Sequence, residues 1–303
     1  MNSKFFVGLL IATTCNAQSL QLRTNDVIAF LGGTDVVTAQ DSGHLEAILS
    51  IHYRTLNLRF RNFGWEGDTV FAQPREFGFP PLTNLLQRAG VTLVFLQFGR
   101  SEALEEIVDP AQFRAALERF VARVRVVTPR ICLVTPPPFE RAEPPLPDMA
   151  NRNQHLALLC EQVRHVARAQ KLPITDLFKQ VKRTPGRLTV NGLFISPRGY
   201  ALLANAFMRE LGHSQSESFD AQGRWLSSNR EKLRQLVLEK DRLWFHYSRP
   251  QNWAFLGGDR VTQPSSHDHR NPKVRWFPAE MERYIPLIQK CEEQIDALAL
   301  EIK

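Results

Sequence analysis

Four short stretches set small, hydroxyl-bearing or acidic side chains beside glycines at the ends of apolar runs. Gly32-Gly33-Thr34-Asp35 follows the run 27–31, Gly64 to Thr69 follows 58–62, Gly99-Arg100-Ser101-Glu102 follows 91–98, and Asn191-Gly192-Leu193-Phe194 precedes Ser196-Pro197. A hydroxyl on such a turn, with a base to take its proton and an acid to orient that base, is the equipment for attack on an acyl carbonyl. Thr34 supplies a hydroxyl, yet none of the eight histidines falls within the four stretches. His44 stands ten residues beyond Thr34, His155 and His165 fall on an expected surface helix, and His246 belongs to a C-terminal segment able to fold back over the strand ends. His267-Asp268-His269 alternates in a polar loop without a third converging ligand, so neither a metal nor another cofactor is expected.

The elements that must position these residues follow from periodicity. Runs of strand length, rich in β-branched or aromatic residues, occur at 27–31, 58–62, 91–96, 131–135 and 172–175. Between them lie helical patterns at 45–53, 81–88, 111–127, 151–170 and 197–211. Repeated strand-then-helix order implies right-handed crossovers and a parallel sheet covered on both faces, which binds ligands at the carboxyl ends of its strands. The loops after Leu31, Asn62, Phe98 and Thr135 are therefore where function is to be sought.

After Gly212 a polar linker leads to helices expected at 230–246 and 279–302, flanking an aromatic and Pro/Gly-rich segment. The last helix carries Ile285, Ile288, Cys291, Ile295, Leu298 and Ile302 as one apolar stripe, the pattern of packing on a neighbour. The N-terminus has a short head with Lys4, an apolar run from Phe5 to Ala12, and Cys15-Asn16-Ala17 before Gln18, the order of a secretory signal. The expected organisation is a signal segment at 1–17, an α/β domain at 18–211 and a helical extension at 212–303, in an exported, periplasmic or extracellular protein. Past the signal, three cysteines (Cys132, Cys160 and Cys291) allow at most one bridge. With 43% hydrophobic and 23% charged residues the chain can bury a core, and beyond the N-terminus no stretch is apolar enough to span a membrane. The net charge of +7 is interleaved with acids, which speaks for a solvated surface and against nucleic acid as a partner.

Taken together, the order, spacing and strand-end placement of the four stretches, across about residues 26–211, resemble the SGNH, or GDSL-type, hydrolase family. The resemblance implies an α/β fold with a flavodoxin-like five-stranded parallel sheet and flanking helices, here with a helical C-terminal extension. In that family the first stretch is G-D-S with a nucleophilic serine, where this chain has Thr34. The second supplies an oxyanion-hole glycine, which maps onto Gly67. The third is G-x-N-D, whose asparagine position reads Ser101 and whose aspartate position reads Glu102. The fourth is D-x-x-H, the acid and the base, and here it reads Asn191 and Phe194.

Phe194 can take no proton, and the extra methyl of Thr34 crowds the path of attack. Loss of a nucleophile or base costs about 10⁶ in turnover. The first expectation is therefore a hydrolytically inactive domain that keeps a pocket for a small-molecule or carbohydrate ligand, or for an acylated polymer. That pocket is formed by Gly33, Thr34, Gly67, Asp68, Ser101, Glu102 and Phe194, with Arg249 of the aromatic segment supplying a cation to a carboxylate or to backbone carbonyls. The alternatives are an active esterase or acetylesterase with a relocated base, His246 being the candidate, and a structural or partner-binding module.

Overall fold

The computed structural model describes residues 20–181 and 185–302; the expected signal segment lies outside the described residues. Five strands, β1 (Val27–Gly32), β2 (Arg59–Asn62), β3 (Leu93–Gln97), β4 (Ile131–Thr135) and β5 (Ile174–Asp176), form one sheet in the order β2-β1-β3-β4-β5. Every pairing is parallel, with Ile28 beside Leu93 and Phe60, and Val94 beside Ile131. This is the flavodoxin-like order, whose strand sequence reverses between β1 and β3 and opens a crevice at their carboxyl ends.

Helices α1 (Thr34–Ala39), α2 (His44–His52), α3 (Leu82–Arg88), α4 (Pro110–Arg125), α5 (Asn153–Ala169), α6 (Leu177–Gln180) and α7 (Pro197–Glu210) complete the α/β part. Local chemistry sets the starts of the longer ones. Asp109 caps α4 through the N–H groups of Ala111 and Gln112, with Pro110 in its first turn. Ser196 caps α7 through Gly199 N–H, with Pro197 in the same position.

The alternating side chains of the strands feed two cores. Ala29, Leu31, Val94, Leu96 and Leu133 pack against α3, α4 and α5. Ile28, Phe60, Leu93, Phe95 and Val134 pack against α2 and α7. Beyond α7 come α8 (Ser228–Ser248), α9 (Trp253–Leu256), α10 (Trp276–Glu282) and α11 (Tyr284–Glu301). Leu233 and Val237 of α8 and Ile295, Leu298 and Ala299 of α11 belong to that second core, so the C-terminal helices finish the face that α2 and α7 begin. Among the described residues Cys132, Cys160 and Cys291 are buried free thiols. Among the described residues no helix is long and apolar enough to cross a membrane.

The charge at the centre of this junction is Lys240, which is 0% exposed on α8. Its ammonium donates to Glu46 Oε2 of α2 and to Asp241 Oδ1, each at 2.6 Å. One cation faces two buried carboxylates, and burial pushes the Glu46 carboxyl up to about 8, with the Asp241 charge adding to the shift. A carboxyl raised from 4.5 in the unfolded chain to about 8 in the fold binds its proton more tightly when folded, so its contribution falls as pH rises through that window. Buried His44 is pushed down to about 4 and acts in the opposite sense below its ordinary 6.5, which leaves the Glu46 effect visible above that pH. Thermal unfolding followed by circular dichroism is expected to show a falling Tm between about pH 6.5 and 8. Glu46→Gln, which mimics the protonated acid, should flatten that slope while keeping the fold.

Candidate functional site

The site begins where β1 ends. A Cβ on Gly33 would stand 2.5 Å from the carbonyl oxygen of Asp68, so only glycine lets the loops after β1 and β2 touch. Thr34 then opens α1, and its Oγ1 receives the N–H of Gly67 at 3.5 Å, the outer limit of a hydrogen bond. Gly67 sits at φ +76 with open space about its Cα, an exposed N–H in a left-handed turn. Glu102 closes the third side. Its buried carboxylate accepts from Val70 N–H at 2.6 Å and Gly99 N–H at 2.8 Å, lashing the loop after β2 to the loop after β3. Burial raises the pKa of Glu102, with both amide bonds opposing the shift.

Arg100 is buried beside this frame and donates from Nη1 to Asp35 Oδ1 at 2.7 Å, its guanidinium 4.7 Å from the centre of the Phe139 ring. The ion pair pins the first turn of α1 and with it the Thr34 backbone. The recess left among Thr34, Asp68, Gly99 and Ser101 has a volume of about 20 Å³.

No imidazole lines the recess among the described residues. His44 is buried in α2, with Nδ1 against Ser42 Oγ and Nε2 against the carbonyl of Gly223, both at 2.6 Å. The His246 ring packs against Phe245 and Tyr284. Asn191 spends its Oδ1 on the N–H groups of Leu193 and Phe194 in its own turn. Phe194, expected among the pocket residues, is 52% exposed and does not line the recess. The structure thus brings Gly33, Thr34, Gly67, Asp68, Ser101 and Glu102 together and leaves Asn191 and Phe194 in a separate turn.

Next to the recess lies a roomier cleft of about 230 Å³, bordered by Trp65, Asp68, Arg75, Phe79, Arg123 and Arg249. Arg75 grips Asp68 with two bonds of 2.7 Å and lies 4.0 Å from the Trp65 ring centre. Arg249, delivered by the end of α8, also lies 4.0 Å from that ring and donates to Glu66. Arg123 of α4 donates to Gln73 Oε1 and has no carboxylate at ion-pair distance among the described residues; burial, and Arg75 nearby, lower its pKa. Asp68 is nearly buried, and that burial raises its carboxyl despite Arg75. The sequence pointed to Asp68 and Arg249 but not to Trp65, Arg75, Arg100 or Arg123. Arg75 stands in an irregular loop and Arg123 is one of many charged residues on α4, so no local spacing marks either.

The model of the GDSL-like lipase/acylhydrolase family matches residues 25–202. No curated protein sequence matches the chain. Among solved structures, BT4096, a gut microbial diltiazem-metabolizing enzyme, is similar over 95% of this chain and 96% of its own, with TM-score 0.60 and 12% identity. That likeness of fold takes in the C-terminal helices. A catalytic mutant of Axe2, an acetylxylan esterase from Geobacillus stearothermophilus, is similar over 66% of this chain and 100% of its own, with TM-score 0.49 and 17% identity.

The lashing by Glu102 predicts a large and graded loss of stability. Glu102→Ala strands two buried N–H groups and should cost about 2–6 kcal/mol, at about 1–3 for each. Glu102→Gln keeps one acceptor and should cost about half as much. Urea unfolding of the two variants checks the order.

Proposed function

The chain belongs to the GDSL-like lipase/acylhydrolase family, and we propose that it is a member without hydrolytic activity that binds a ligand at the carboxyl edge of the sheet. The observation that carries this reading is the contrast between two neighbouring spaces. The recess at Thr34 has a volume of about 20 Å³ and no imidazole on its wall among the described residues, while the adjoining cleft has about 230 Å³ beside three guanidinium groups and the rings of Trp65 and Phe79. Arginine forks and the faces and edges of rings recognise hydroxyl, carbonyl and carboxylate groups on flat, partly apolar bodies. That surface suits a carbohydrate or an acylated polymer, met outside the cytoplasm by an exported protein.

Two measurements on one purified sample test the reading. Turnover of a short acyl ester such as 4-nitrophenyl acetate should be the same for the wild type and Thr34→Ala. A drop of a hundredfold or more on that substitution would establish Thr34 as a nucleophile and overturn the inactive assignment. Titration with acetylated and unsubstituted oligosaccharides should show binding that Arg123→Ala weakens about tenfold or more, the worth of one hydrogen bond to a charged group. Export is tested separately by N-terminal sequencing of the protein from its native host. The expected first residue is Gln18, and an intact Met1 would remove the extracellular setting.

A further inference from the structure

A second space lies on the other side of α1, against the face of the sheet covered by α2 and α7. It has a volume of about 110 Å³ and borders the Thr34 recess through Asp35, Val36 and Gln97. Its walls are mainly apolar. Phe30 and Phe95 lie parallel with ring centres 5.6 Å apart, and Phe207 of α7 meets Phe95 edge-on at 5.0 Å. Although Phe30 belongs to a central strand it is only half-buried, because its ring lines this space.

Most polar groups on the cavity wall are already satisfied. Asn62 donates to the Val36 carbonyl and accepts from Gly64 N–H. Tyr200 OH donates to the Asp35 carbonyl at 2.9 Å. His44 has both nitrogens engaged, and Glu46 and Asp241 hold Lys240. Two amides remain: the side chains of Gln40 and Gln97 line the cavity and make no hydrogen bond among the described residues. Gln97 follows Phe95 by two residues along β3 and so points to the same face as its ring.

We propose that this cavity binds a small neutral aromatic molecule carrying one hydrogen-bonding group, with its ring against Phe30, Phe95 and Phe207 and its polar group on Gln97. The size fits, since an apolar cavity of about 150 Å³ stays dry and takes up benzene. Aromatic rings in edge and offset contact favour an aromatic guest over an aliphatic one of equal volume. A charged guest would leave water for a wall whose acids already hold Lys240, with only neutral amides to receive it. The assignment concerns a different space from the carboxyl-edge cleft and stands or falls independently of it.

Phenol and benzene are the probes, used at millimolar concentration on the full chain. Both should raise the Tm of the wild type through preferential binding to the folded state. Ala204→Leu, which fills the cavity from α7, should abolish both shifts. Gln97→Met should weaken phenol at least fivefold and leave benzene unchanged. Crystals pressurised with xenon should show an atom between Phe30, Phe95 and Phe207, a readout that survives even if Ala204→Leu fails to fold. The proposal is overturned by an absent xenon peak together with no thermal shift, which is what a space holding only water would give. Shifts retained in Ala204→Leu, or equal losses of phenol and benzene in Gln97→Met, also overturn it.

Discussion

A fully buried ammonium sets the geometry of much of this molecule. Lys240 is drawn into the junction of α8, α2 and β2 only because Glu46 and Asp241 meet it at 2.6 Å, and a lone charge in that position would cost several kcal/mol. Fixing Lys240 fixes the register of α8. One turn later the Trp244 indole donates to the Asn62 carbonyl at the end of β2, and its ring meets Phe63 edge-on. After a further turn the helix ends at Ser248, which places Arg249 over Trp65 and against Glu66. An electrostatic contact deep in the core thereby decides which guanidinium reaches the cleft at the carboxyl edge.

The same edge shows what holds the frame of the family's site together in this chain. The contacts that bring the loops together are made by the backbone of Gly33 and by the carboxylate of Glu102, and neither needs a nucleophile or a base. Arg100 holds Asp35 and so keeps α1 in place whatever residue stands at position 34. The base position is the one element of the pattern outside this mutual bracing. Its turn is organised by Asn191 bonding to its own neighbours, which leaves Phe194 turned largely to solvent. The residue at position 194 therefore leaves the packing of the other three loops untouched.

Much of the fold was legible because the sequence states it twice, in periodicity and in caps. The runs 27–31, 91–96 and 131–135 are apolar on both faces, as central parallel strands must be, and Asp109-Pro110 and Ser196-Pro197 mark two helix starts. Helix α1 was not legible, being six residues long with three β-branched side chains in succession; its place is secured by the ion pair of Asp35 and by Tyr200 bonding the Asp35 carbonyl. At 172–175 the strand starts two residues late: Pro173 has no N–H for the ladder, though its carbonyl accepts from Leu133. Of the site, the loops were readable from their position after strands. The arginines that complete the cleft were not, since Arg123 and Arg249 come from the far ends of α4 and α8 and meet Trp65 and Gln73 only through tertiary folding.

The brevity of α1 bears on both sides of the sheet. Six residues of helix span about 9 Å, too little to roof the carboxyl halves of β1 and β3 on the face where Phe30, Phe95 and Gln97 point. On the opposite face α4 and α5, of 16 and 17 residues, cover the same strands fully, and the core there is continuous. Ala204 stands at this wall, where a larger side chain would reach into the space. The short helix that presents Thr34 on one side therefore leaves, on the other, an apolar space of about 110 Å³ in front of Phe30 and Phe95.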